Sequence, residues 1–156
     1  PIYLIEKVFR EEPNLINQMQ VHCSARFREK KYFISLMNKL DIVHQNKALF
    51  GPRLTMHDTL EYSNVIVSHQ ILNSLNYVYL EVMYLDMPLI HNSEDIREAG
   101  YFYPEYDLNI GATKLKEALK SHDDNLTKYR SNAKHVFERF SPDNEYVRDQ
   151  YSRLLS

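Results

Sequence analysis

Short apolar runs alternate with longer amphipathic stretches along this 156-residue chain. Residues 2–11 (IYLIEKVFRE) have the pattern of a helix, which Pro13 closes. Residues 18–23 (QMQVHC) form a candidate strand. Ser24 is then placed to cap a helix over about 27–39, where Phe27, Tyr32, Phe33, Leu36, Met37 and Leu40 recur at helical spacing. A strand at 47–50 (KALF) stops at Gly51-Pro52, a short helix spans 56–62, and Val65-Ile66-Val67 is the most strand-like run. The segment Asn73 to Asn76 opens a helix that runs to about Asp86, and residues 88–91 (PLIH) read as a buried strand. A short helix at 94–99 follows, and the chain from Gly111 to Leu155 is helical with a break at Ser141-Pro142.

Short strands alternating with helices predict an α/β fold, a Rossmann-like doubly wound parallel sheet with helices on both faces and a helical C-terminal tail. Right-handed crossovers in such a sheet place the ligand off the carboxyl ends of the strands. One domain is expected over residues 1–156, with its core at about 18–120 and its tail at 121–156.

Composition narrows the function. The net charge of −2 gives no overall positive field for nucleic acid or an anionic membrane. The charge is uneven, with nine Lys/Arg against six Asp/Glu in residues 1–60 and ten against fifteen in 61–156. The N-terminal part can therefore hold an anionic ligand. One cysteine, Cys23, excludes an internal disulfide and fits a reducing, cytoplasmic compartment. No apolar run approaches the roughly 18–20 residues of a transmembrane helix. A start at Pro1 rather than Met predicts a piece of a longer chain. Three glycines cannot build a Gly-rich phosphate loop, so Walker-type and dinucleotide fingerprints are absent.

The segments just after the strands carry the candidate chemistry. Ser74, Leu75, Asn76 and Tyr77 open a helix whose free N–H groups suit a diphosphate, although plain N-capping has the same spacing. Glu81 lies among apolar neighbours in that helix, where a carboxylate needs either a Lys/Arg partner or a ligand's hydroxyl groups. Arg26, Arg28, Lys30 and Lys31 form a basic cluster, read either as a solvated helix face or as a diphosphate clamp. His69 and His91 both end strands, but two His with no Cys and no local third ligand make a poor zinc site.

At Leu80 to Leu119, LEVMYLDMPLIHNSEDIREAGYFYPEYDLNIGATKLKEAL resembles the donor-binding segment of GT-B glycosyltransferases. Matching residues are Glu81, Met83, Pro88, Ile90, Gly100, Tyr103, Pro104, Asp107 and Leu115, and the upstream run ALFGPRLTMHDTLEYSNVIVSHQ is similar as well. The phrase SHQ…N…LNYxYLE…YL…PLIHNS…GYxYP is similar to that of a bacterial and viral glycosyltransferase-like family. The resemblance implies the C-terminal, nucleotide-sugar-binding half of a two-domain enzyme that transfers a sugar to an acceptor hydroxyl. It further implies that the acceptor-binding half lies outside these residues, docking on the apolar edge of 2–9 and the helices after Pro142. Arg26, Lys31, Arg53, Ser74, Leu75, Asn76, Tyr77 and Glu81 then hold the nucleotide and diphosphate, and Asn73 and His91 face the donor sugar. No metal or other cofactor is expected, because the chain lacks an Asp-x-Asp pair. Asn73 stands where many retaining members carry a Glu, which leaves open a non-catalytic nucleotide-sugar-binding or interaction domain.

Overall fold

The computed structural model describes residues 1–73 and 75–155. Strand β1 (Met19–Val21) pairs in parallel with β2 (Ala48–Phe50), Met19 opposite Ala48. Strand β4 (Leu89–His91) lies between β3 (Ile66–Val67) and β5 (Tyr101–Phe102), again parallel. The result is a mixed α/β fold with two small parallel sheets and a helical C-terminal end. All three β4 residues are buried, as a strand covered on both faces requires.

No hydrogen bond joins β1 to β3 among the described residues. Instead, residues 18–22 and 63–68 line a cavity of about 410 Å³ floored by Ile2, Ile5 and Leu115. Gln18, Asn64 and Val65, at the starts of the two strands, also share a second cavity of about 390 Å³. A gap therefore separates the two sheets.

Helix α1 (Ile2–Glu11) packs on α3 (Asp41–His44) and α6 (Leu108–Ser121) through buried Leu4, Val8 and Phe9. Gly111 permits the close approach of α6, since a Cβ there would run into the Leu4 side chain. One face of residues 2–9 is thus covered within this chain, while Tyr3 on the expected docking edge is exposed and Ile2 and Ile5 are half-buried. Glu6 is buried on this face. Its carboxylate accepts the Asp41 N–H at 2.7 Å, the Ile42 N–H at 3.1 Å and the Arg10 Nε–H at 2.6 Å, capping the otherwise unpaired start of α3.

The second helix group joins α4 (Met56–Tyr62), α5 (Tyr77–Tyr84) and α7 (Leu126–Phe140). A capping box of Thr55 with Asp58 starts α4. Both α3 and α5 end in a left-handed residue, Asn46 (φ 56°) and Asp86 (φ 57°). In each case the next N–H (Lys47, Met87) reaches back to Ile42 or Val82, the Schellman pattern that usually uses glycine. Helix α8 (Glu145–Leu155) buries no side chain.

Two expected helices and one expected cap differ. The helix at 27–39 is a 3-10 turn at Ala25–Phe27 followed by α2 (Lys31–Met37), because Lys30 is extended (φ −81°, ψ 120°) and breaks the run. Ser24 does not cap it, since its hydroxyl donates to the Val21 carbonyl at 2.6 Å. The helix at 94–99 is a single 3-10 turn, Glu94–Ile96, which leaves room for β5.

Candidate functional site

Two loops meet beyond β1 and β2. The Cys23 N–H donates to the Pro52 carbonyl at 3.1 Å, and the Ser24 and Ala25 N–H groups share the Gly51 carbonyl at 2.9 and 3.0 Å. Cys23 takes the left-handed conformation (φ 58°) to allow this. The stapling brings Arg26 and Arg53 onto one end of this sheet, with Lys31 at the start of α2. All three are exposed, and none makes an ion pair among the described residues. By contrast, Arg10, Lys116, Lys120, Arg130 and Arg139 are each held by a carboxylate. Unpaired cations that no structural carboxylate claims are available to an anion.

The loops after β3, β4 and β5 form a polar, aromatic group. Asn92 locks the Gln70 backbone, accepting its N–H at 2.7 Å and donating to its carbonyl at 2.9 Å. The Tyr79 hydroxyl donates to Ser68 Oγ at 2.8 Å. Leu72 and Glu105 are both left-handed (φ 55° and 46°), so with Cys23 three of the five left-handed non-glycine residues among those described sit in loops that follow strands.

Asn73 is exposed in this loop, and Ser74 lies outside the described residues. Leu75 is half-buried, and the Asn76 side chain accepts the Val78 N–H at 3.1 Å, which commits it to capping α5. Tyr77 is exposed at the first position of α5. Glu81 is exposed too, which corrects the expectation that its apolar neighbours bury it. It borders an apolar groove of about 540 Å³ formed by α4, α5 and α7, with Met56, Leu60, Tyr84 and Phe137. The buried carboxylate is Glu6; the signal was its place on the stripe of Ile2, Ile5 and Phe9.

His91 does not face a ligand. It is fully buried, its Nε2–H donates to the Ala99 carbonyl at 2.8 Å, and its Nδ1 accepts the Ser93 N–H at 3.1 Å. Burial pushes its pKa down to about 4, so it stays neutral. Its expected role on the donor sugar is replaced by a structural one. Gly100 (φ 65°) is required beside it, since a Cβ would come within 2.8 Å of His91 Nε2 and 3.0 Å of the Leu89 carbonyl oxygen. Asp107 accepts the Asn109 and Ile110 N–H groups, both at 2.9 Å, and so caps α6. Among the described residues, no group of three or more His, Cys, Asp or Glu is placed to hold a metal ion. No helix of the described chain is long and apolar enough to cross a membrane.

Parallel strands with cationic loops at one sheet and aromatic, amide-rich loops at the other make this an α/β domain with a candidate ligand site after its strands. The chain belongs to the family described as Protein of unknown function (DUF2827), whose family model matches residues 1–155. No curated protein and no solved structure gives a match.

Proposed function

We propose that this domain binds a nucleotide-diphosphate sugar and serves as the donor half of a glycosyltransferase. In this reading the two sheets are one Rossmann-like, doubly wound sheet in the order β2-β1-β3-β4-β5, opened at the β1–β3 gap. That gap falls where connections leave in opposite directions, the place where open α/β sheets bind ligands. The observation that carries the reading is the unpaired cation group at the stapled loops, Arg26, Lys31 and Arg53. A diphosphate there gains charge-assisted hydrogen bonds without breaking any structural ion pair. Glu81, exposed on α5, is free to accept two ribose hydroxyls. In the transfer the acceptor hydroxyl oxygen bonds to the sugar's anomeric carbon and gives up its proton to a base, the bond from that carbon to the diphosphate oxygen breaks, and the cations stabilise the charge of the departing nucleoside diphosphate. A second reading, a sugar-nucleotide-binding domain without turnover, rests on Asn73, whose amide cannot accept a proton.

The test is calorimetry with nucleoside diphosphates. The double variant Arg26→Gln/Arg53→Gln should weaken binding by roughly tenfold or more, since each lost charged hydrogen bond is worth about 1.5–3 kcal/mol. Unchanged affinity in a folded variant refutes the assignment. Turnover with a matched acceptor then separates the two readings.

A further inference from the structure

Three histidines in this chain are oriented by the same device. His91 and His122 each accept a hydrogen bond at Nδ1, from the Ser93 N–H at 3.1 Å and the Tyr101 hydroxyl at 3.0 Å. Each then donates Nε2–H to a backbone carbonyl, of Ala99 at 2.8 Å and of Asp86 at 2.9 Å. His69 repeats the first half. Its Nδ1 lies 3.0 Å from the Tyr103 hydroxyl. Tyr103 is buried, and its hydroxyl hydrogen has no other acceptor among the described residues, so it donates to Nδ1 and leaves the proton on Nε2. The second half is missing. His69 Nε2 is the one buried side-chain nitrogen or oxygen without a hydrogen-bond partner among the described residues.

A buried donor without an acceptor costs about 1–3 kcal/mol, and such orphans in folded proteins call for an explanation. The surroundings indicate what acceptor fits. Residues 68–76 and 103–107, the loops on either side of His69, contain no Lys or Arg, whereas residues 26–31 contain four. Burial, with the positive N-terminus of Pro1 as the smaller cause, lowers the His69 pKa, which keeps the ring uncharged. Tyr106, 68% exposed, lies with its ring 4.7 Å from the His69 ring, on the turn that holds left-handed Glu105. An uncharged donor, a free aromatic face and the exposed amide of Asn73 match a sugar, with hydroxyl oxygens to accept and a C–H face to stack.

We infer that the loops after β3 and β5 form the sugar subsite, in which His69 Nε2–H donates to a hydroxyl and Tyr106 swings aside to stack on the ring. This rests on the sugar-nucleotide reading and assigns the sugar contact to His69. The site is divided by charge, with the diphosphate on the loops of β1 and β2 and the sugar on those of β3 and β5.

The experiment compares UDP with UDP-glucose and UDP-N-acetylglucosamine, and GDP with GDP-mannose, by calorimetry on the wild type, His69→Ala and Tyr106→Ala. The expected result is that the wild type binds one sugar nucleotide more tightly than its nucleoside diphosphate. Each variant should lose that increment, about tenfold for His69→Ala, while diphosphate affinity is unchanged. Equal weakening of both ligands makes His69 a phosphate contact and overturns the inference, while no weakening removes His69 from the site; both leave the sugar-nucleotide reading standing. Binding of no probe by the wild type overturns the reading and the inference together. Nitrogen-15 NMR of the ligand-free wild type gives a check that needs no variant: the His69 proton should be on Nε2, and a proton on Nδ1 overturns the inference.

Discussion

Glu6→Gln is the substitution whose cost follows most directly from the geometry. The wild-type carboxylate uses one oxygen for the Asp41 N–H at 2.7 Å and the other for the Ile42 N–H at 3.1 Å. Glutamine is nearly the same size but offers one acceptor oxygen, so its NH₂ faces a second donor. One charge-assisted bond is lost, about 1.5–3 kcal/mol, and one backbone N–H at the start of α3 is left buried without a partner. The ion pair to half-exposed Arg10 adds little after solvent screening. Together the loss is about 2–4 kcal/mol, or a fall in Tm of about 5–15 °C for a chain of this size. Urea denaturation followed by circular dichroism measures it, with Arg10→Met, which removes the exposed ion pair and keeps the cap, as a control expected to lose clearly less. A Glu6→Gln variant within about 0.5 kcal/mol of wild type, or no worse than Arg10→Met, refutes the capping argument.

Further outcomes follow from the neighbourhood of β4 and the start of α6. Gly100→Ala forces a side chain into a left-handed position against His91 and the Leu89 carbonyl, and should cost about 2–4 kcal/mol in urea denaturation; a loss under about 1 kcal/mol contradicts the fit. His91 has a folded pKa of about 4, below its unfolded value, so the unfolded chain binds the proton first as pH falls. Stability from this group is present near neutrality and is lost between about pH 6.5 and 4, on the order of 3 kcal/mol. Its imidazole resonance should titrate near pH 4, and a midpoint of 6 or above rejects the account. Asp107→Ala should cost about 1 kcal/mol through loss of the α6 cap, while Asp107→Asn stays close to wild type; equal losses in thermal melts exclude capping.

Strands β1 to β4 were legible because each lies in a short run with apolar residues, β2 for example stopped by Gly51-Pro52. Strand β5 was not, since two residues inside GYFYP carry no periodicity, and pairing with β4 makes them a strand. Left-handed Asn46 and Asp86 mark helix ends without the usual glycine. Within the site, the cations at 26–31 and the capping by Asn76 could be read from residue type and spacing. Burial could not. Glu81 and Glu6 both stand among apolar residues, and only the packing of α1 on α3 and α6 decides which one is enclosed. His69 follows β3 and His91 ends β4, yet backbone partners reach only His91.

The most direct measurement is calorimetric titration of this chain with nucleoside diphosphates and their sugar conjugates in excess chelator. The account predicts saturable one-to-one binding of at least one sugar nucleotide, lost when Arg26 and Arg53 are neutralised and weakened by Glu81→Gln. Absence of binding by every member of the set, or binding that survives all three substitutions, contradicts it.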